Sequence, residues 1–184
     1  MTKKVVFWVL IVIFSYTAGF VVSMYSYPGR EFSRVWKNTE HDGGLNRWLH
    51  RRNLEGDISA MIVRPNHDTL YSCAAMDMDS GPFVIEMPLS DRYWSVEFIM
   101  ENTDVFNYIG SREYGFNKAV KVILARQDFS GDTRGLPVLK YLGKKAWLLA
   151  RFLTDEKDDL PRVHQLQDLM KITPLKDYEL NTRK

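Results

Sequence analysis

Cysteine is nearly absent from this chain. Cys73 stands alone among 184 residues, which excludes an internal disulfide framework and any Cys–Cys metal knuckle. The four histidines, His41, His50, His67 and His164, show neither H-x-x-x-H nor H-x-H spacing, the usual way to place two imidazole ligands on one face. No G-x-S-x-G nucleophile elbow and no glycine-rich phosphate loop occurs. Net charge is also scarce. Apart from Lys3 and Lys4, every one of the 25 Lys and Arg residues follows Tyr25, as do all 23 Asp and Glu, so the remainder is formally neutral. Binding to a phosphate backbone needs a surplus of Lys and Arg, so nucleic acid is set aside as a partner. No metal and no cofactor is expected.

What the chain does have is a long uncharged run. Residues 5–25, VVFWVLIVIFSYTAGFVVSMY, open at Val5 and close at Tyr25 without one charge. A helix needs about 20 such residues to cross ~30 Å of hydrocarbon. A cleaved signal peptide is the rival, with Thr17-Ala18-Gly19 as its processing site, but its apolar stretch is usually about 7–15 residues. Here FVVSMY prolongs the run, which favours an uncleaved anchor holding the chain in a bilayer. Lys3 and Lys4 before the span are balanced by Arg30, Arg34 and Lys37 after it. A four-residue tail with two lysines favours the cytoplasm, so the folded domain is expected to be periplasmic or extracellular.

The division expected is an anchor over residues 1–25, a polar connector over 26–44 broken at Pro28-Gly29 and Gly43-Gly44, and one β-rich domain over 45–184. LNRWLHRRNL puts Leu45, Trp48, Leu49 and Arg52 at three- and four-residue spacing, which predicts a short amphipathic helix. Residues 26–57 hold six Lys/Arg against five Asp/Glu, so its basic side reads as a solvated face. Period two then takes over. Leu70, Ser72, Ala74, Met76 and Met78 share one face of TLYSCAAMDMD, with Tyr71, Cys73 and Ala75 on the other. Both faces are apolar in the middle, as in an interior strand covered on two sides, and Cys73 reads as a buried thiol. FVIEM, YWSVEFIM, residues 105–109, residues 119–125 and AWLLARFLT continue the strands. Their 8–12-residue spacing predicts a mainly β fold, a sandwich or jelly roll. DDLPRVHQLQDLMKITP closes it with an amphipathic helix, with Pro161 in the first turn, Val163, Leu166, Leu169 and Met170 apolar, and Pro174 as the stop.

Four motifs in order, VRPNHDTLYS (63–72), DRYWSVEFIM (91–100), DVFNYIGSR (104–112) and DDLPRVHQLQDLMKITPL (158–175), resemble the bacterial domain-of-unknown-function family twelve-fifty-four over residues 45–175. The resemblance implies a β-sandwich or jelly-roll domain which, in longer members, precedes a second all-β domain, family twelve-fourteen. It assigns no activity. This chain has Glu113-Tyr114-Gly115-Phe116 after GSR and Ala125-Arg126 after the next strand, both unlike the family's loops. As the sequence stops at Lys184, a short anchored version would pair with a separate second-domain chain or with a copy of itself.

The crowded RPNHDTLYS stretch has a structural explanation. Arg64, before Pro65, is pushed towards extended geometry, and Asn66 and Asp68 stabilise a turn by bonding nearby backbone N–H groups. A ligand or catalytic site is the alternative. In it, Asp68 orients an imidazole such as His50 as general base, and Asp91 and Arg92 turn inward towards Asp68. The candidate pocket is therefore His50, Arg64, Asn66, Asp68, Tyr71, Asp91 and Arg92. The leading expectation is a non-enzymatic, membrane-anchored interaction module. The alternative is a small-molecule binder or enzyme, a hydrolase included, at that pocket. A carbohydrate-binding surface on exposed aromatics such as Trp36 and Tyr108 is the weakest reading.

Overall fold

The computed structural model describes residues 2–54, 68–155 and 157–178. Its first element, α1, spans Lys3–Gly43, and 41 residues at 1.5 Å each make about 60 Å. The polar connector expected over 26–44 is thus helix as far as Gly43, with Pro28 inside it. Proline removes one intrahelical hydrogen bond and costs about 3 kcal/mol in a helix interior. The opposing effect is tertiary: Phe32, Trp36 and Thr39, spaced four and three apart on one face, are buried against a sheet. The helix stops where Gly44 takes φ 80°, a left-handed conformation that glycine adopts without strain, and its N–H donates to Glu40 O at 2.7 Å.

Among the described residues, nine strands form two sheets, in keeping with the period-two pattern. β1 (Leu49–His50), β2 (Thr69–Asp77), β8 (Lys145–Leu153), β4 (Trp94–Ile99) and β5 (Val105–Gly110) make the first, in the order β1-β2-β8-β4-β5 and antiparallel throughout. The second is β7 (Val138–Tyr141), β6 (Val120–Arg126), β3 (Phe83–Met87) and β9 (Lys171–Pro174), in the order β7-β6-β3-β9, with β6 and β7 parallel. A four-residue helix, α2 (Ser111–Tyr114), follows β5, and α3 (Leu160–Leu169) follows β8. The fold is mainly β.

The inner faces meet in one core. Leu70, Met76, Val96, Phe98, Leu148 and Phe152 from the first sheet are buried with Phe83, Ile85, Met87, Val122 and Leu124 from the second. Each such side chain contributes roughly 1.5–3 kcal/mol relative to exposure. The outer faces are covered too. Leu175 and Tyr178 close over Val84, Ile123 and Ala125 on the second sheet. On the first, Phe32 and Trp36 of α1 pack on Ala75, Ile99 and Trp147. The expectation that β2 is covered on both sides therefore holds. α1 crosses this sheet obliquely, with Gly29 beside the Glu101 carbonyl and Gly43 against Leu49.

Several local readings change. Residues 45–52 are not a helix. Leu45 bridges Ala75, Asn46 turns at φ 58°, and β1 pairs with β2. Asn46 Oδ1 accepts from the Asp77 N–H at 2.8 Å and its Nδ2 donates to Ser80 Oγ at 3.0 Å. This local polar bonding, which favours asparagine in turns, outweighs the three–four spacing. The last helix ends at Leu169, and residues 171–174 pair with β3 as a strand. Leu169 points outward, while Gln167 takes the buried position. Trp36 is buried under α1, which removes it from any carbohydrate-binding face. Cys73 is half-buried on the outer face and not in the core.

Candidate functional site

The residues anticipated as a pocket are distributed over three places. Arg64 and Asn66, with His67, lie outside the described residues. His50 sits on edge strand β1, opposite Ser72 on β2. Its Nδ1 is 2.8 Å from Ser72 Oγ, so Ser72 holds this ring nitrogen, the role expected of Asp68. Gln167 of α3 completes the group. It is fully buried, and its Nε2 donates to Ser72 Oγ at 3.0 Å and to the carbonyls of Arg51 and Tyr71, each at 3.1 Å. Arg52 donates to Gln167 Oε1 at 3.2 Å and to the His164 carbonyl at 3.1 Å, and it pairs with Asp168. The network fastens α3 across β1 and β2.

A serine bonded to a histidine invites comparison with an activated nucleophile. Ser72, however, is fully buried, so a substrate carbonyl cannot reach its Oγ without the domain opening. The neutral imidazole is the form this environment accepts. Burial chiefly, with the Arg52 charge second and Asp168 opposing, lowers the His50 pKa from 6.5 to about 4. The unfolded chain takes up this proton near pH 6.5 and the folded chain only near pH 4. Stability therefore falls as pH drops through that window, and this group adds no slope above it. The measurement is the urea midpoint of the full chain in detergent between pH 7 and pH 4. His50→Gln is expected to flatten that slope, and an equal slope in both proteins would refute the assignment. Asp159 and Asp168 are held below the ordinary carboxylate value of 3.8, first by hydrogen bonds from Arg92 and Arg52 respectively. Their stabilisation is lost only in more acidic solution.

Asp68, Asp91 and Arg92 lie near the end of β8. Thr154 N–H donates to the Asp68 carbonyl at 2.7 Å, and Arg92 Nη1 donates to the Leu153 carbonyl at 3.1 Å. The guanidinium of Arg92 clasps Asp159 with both terminal nitrogens, and Asp91 pairs with Arg162. These ion pairs tie the β3–β4 loop to the start of α3 and leave the Arg92 charge neutralised. Asp68 and Arg92 are therefore brought to one end of β8, while His50 is held by Ser72 further along β2.

Tyr71 points the other way, onto the outer face of the first sheet. There α1 and the sheet enclose a cleft of about 320 Å³ that was not anticipated. Val35, Cys73, Trp147 and Leu149 are its apolar lining, and Arg51, Tyr71 and Arg151 its polar lining. Arg151 lies 5.8 Å from the Tyr71 ring centroid and pairs with Glu97 across β4 and β8, while Arg51 approaches Asp42 at 3.8 Å. One signal was present in the sequence: alternation in AWLLARFLT puts Arg151 on the same face as Trp147 and Leu149, and a lone arginine on such a face needs a reason. Among the described residues, no group of three or more His, Cys, Asp or Glu could hold a metal ion.

These features define a class: a two-sheet, mainly β domain whose outer face is packed by the second half of a long N-terminal apolar helix. The chain belongs to the family described as "Protein of unknown function (DUF1254)", whose model matches residues 45–174. Among solved structures it is similar to the VPA0106 protein from Vibrio parahaemolyticus, with a TM-score of 0.68 and 19% identity over 88% of this chain and 40% of that one. A putative uncharacterized protein from Burkholderia cenocepacia also matches, with a TM-score of 0.41 and 10% identity over 59% of this chain and 31% of that one. This chain thus spans less than half the length of either. No curated protein matches it.

Proposed function

We propose that the protein is a single-pass envelope module of a bacterial inner membrane, with residues 5–25 in the bilayer and the sandwich in the periplasm. The sandwich pairs with a second all-β domain or with another copy of itself. The observation that carries the anchored reading is the continuity of α1. Its apolar half has no buried residue, while its second half is packed on the first sheet. The lysine-bearing tail, Lys3 and Lys4, supports the orientation. Pairing rests on the resemblance to the family's longer members, in which a second all-β domain follows this one.

Two measurements test this reading. A reporter that is active only after export, fused beyond Tyr178, is expected to be active, and a cytoplasmic result overturns the orientation. The detergent-solubilised protein, purified at native expression level, is expected to carry a stoichiometric second chain or to run as a dimer. A strictly monomeric, partnerless protein overturns the pairing.

The cleft favours a second reading, a binder of small amphiphilic molecules, because its lining combines apolar side chains with two arginines and a tyrosine.

A further inference from the structure

One end of the sandwich is set apart by the helix that leaves it. Gly29 of α1 lies beside the β4–β5 turn, where a Cβ on this residue would stand 3.9 Å from the Glu101 carbonyl oxygen. The same Glu101 accepts, through Oε1, the backbone N–H groups of Lys144 and Lys145 at 3.1 and 2.9 Å. The β7–β8 loop is thereby fastened at the point where α1 departs. Gly29 is four residues past Tyr25, a rise of ~6 Å. The headgroup layer on each side of a bilayer is about 5–7 Å deep.

At the tip of that loop stands Leu142, 78% exposed, with Lys140 and Lys144 exposed on either side. The loop has no structural use for Leu142, since Tyr141 supplies the core contact by stacking on Phe106 at 4.6 Å. The carboxylates of the neighbouring turn are occupied, Glu101 by the loop amides and Asp104 by Asn102 Nδ2 at 2.7 Å. An exposed leucine between lysines, in a loop tied to the turn that Gly29 meets, matches the chemistry of a bilayer interface.

We propose that the β7–β8 loop is a second membrane contact, with Leu142 reaching the acyl boundary and Lys140 and Lys144 beside lipid phosphates. This rests on residues 5–25 spanning the bilayer. With both contacts made, the sandwich has a fixed tilt on the membrane and presents its opposite end, at Leu89 and Phe116, away from the lipid.

The test uses the full chain carrying Cys73→Ser and one new cysteine at a time: Phe14→Cys in the span, Leu142→Cys in the loop or Phe116→Cys at the far end. Each is labelled with an environment-sensitive fluorophore and reconstituted into phosphatidylethanolamine–phosphatidylglycerol vesicles, with and without acyl-chain quencher lipids. The label at 14 is expected to be quenched, that at 142 quenched and blue-shifted, and that at 116 unaffected. Quenching at 14 with none at 142 overturns the loop contact alone. No quenching at 14 overturns the anchored reading and the loop contact with it. Lys140→Glu with Lys144→Glu is expected to reduce quenching at 142, and unchanged quenching removes the lysines from the contact.

Discussion

Trp36→Ala is expected to lower the stability of the β domain by about 3 kcal/mol and to release the second half of α1. The indole is buried, donates to the Met76 carbonyl at 3.4 Å, and carries the Lys145 ammonium 4.1 Å above its ring. Phe32 and Ala75 complete the contact. Truncation leaves a cavity under a single helix and removes one side of the Lys145 interaction. Release has its own signature. Trypsin needs an extended backbone, so Arg30, Arg34 and Lys37 resist it while the helix stays packed. In the variant these sites are expected to be cut early, well before the strands. A denaturation midpoint near that of the parent, with unchanged cleavage, would show that the helix does not depend on Trp36.

Gln167→Leu is expected to cost about 3 kcal/mol although it preserves volume and adds apolar surface. Its amide holds the Arg51 and Tyr71 carbonyls and the Ser72 hydroxyl, and its oxygen receives Arg52. Tyr71 keeps a second donor, Arg51 N–H at 2.9 Å. The loss therefore falls mainly on the Arg51 carbonyl, on Ser72 and on Arg52. The β1–β2 edge should lose amide-exchange protection before β4 and β8 do. A change under about 1 kcal/mol would mean that water replaces the amide, and the network would then be a consequence of packing.

The strands were legible because alternation is a local property, and a buried face writes it into every second residue. Leu70, Ala74 and Met76, and then Leu148, Ala150 and Phe152, follow it without exception. β1, β7 and β9 were not legible. With two, four and four residues they carry too little pattern, and only their pairing with β2, β6 and β3 defines them. The helical connector was hidden for the opposite reason. Pro28-Gly29 is a strong local break, whereas the contact that overrides it joins Trp36 to residues forty and more positions away. The candidate site divides along the same line. Tyr71 was singled out by its place just after RPNHD in the sequence, and it lines the cleft. The Ser72–His50–Gln167 group unites residues 22 and 95 apart in sequence, and no motif announces it.

The unbroken length of α1 also bears on how a partner is met. A flexible tether lets a domain sweep a hemisphere, and its search is governed by linker length. A helix packed onto the sheet allows no such sweep. On the proposed anchored reading, the domain would follow the tilt and rotation of its span and drift laterally with it. On that reading, encounters with another anchored chain would be confined to two dimensions and a narrow range of heights, and recognition would depend on surfaces that already face each other.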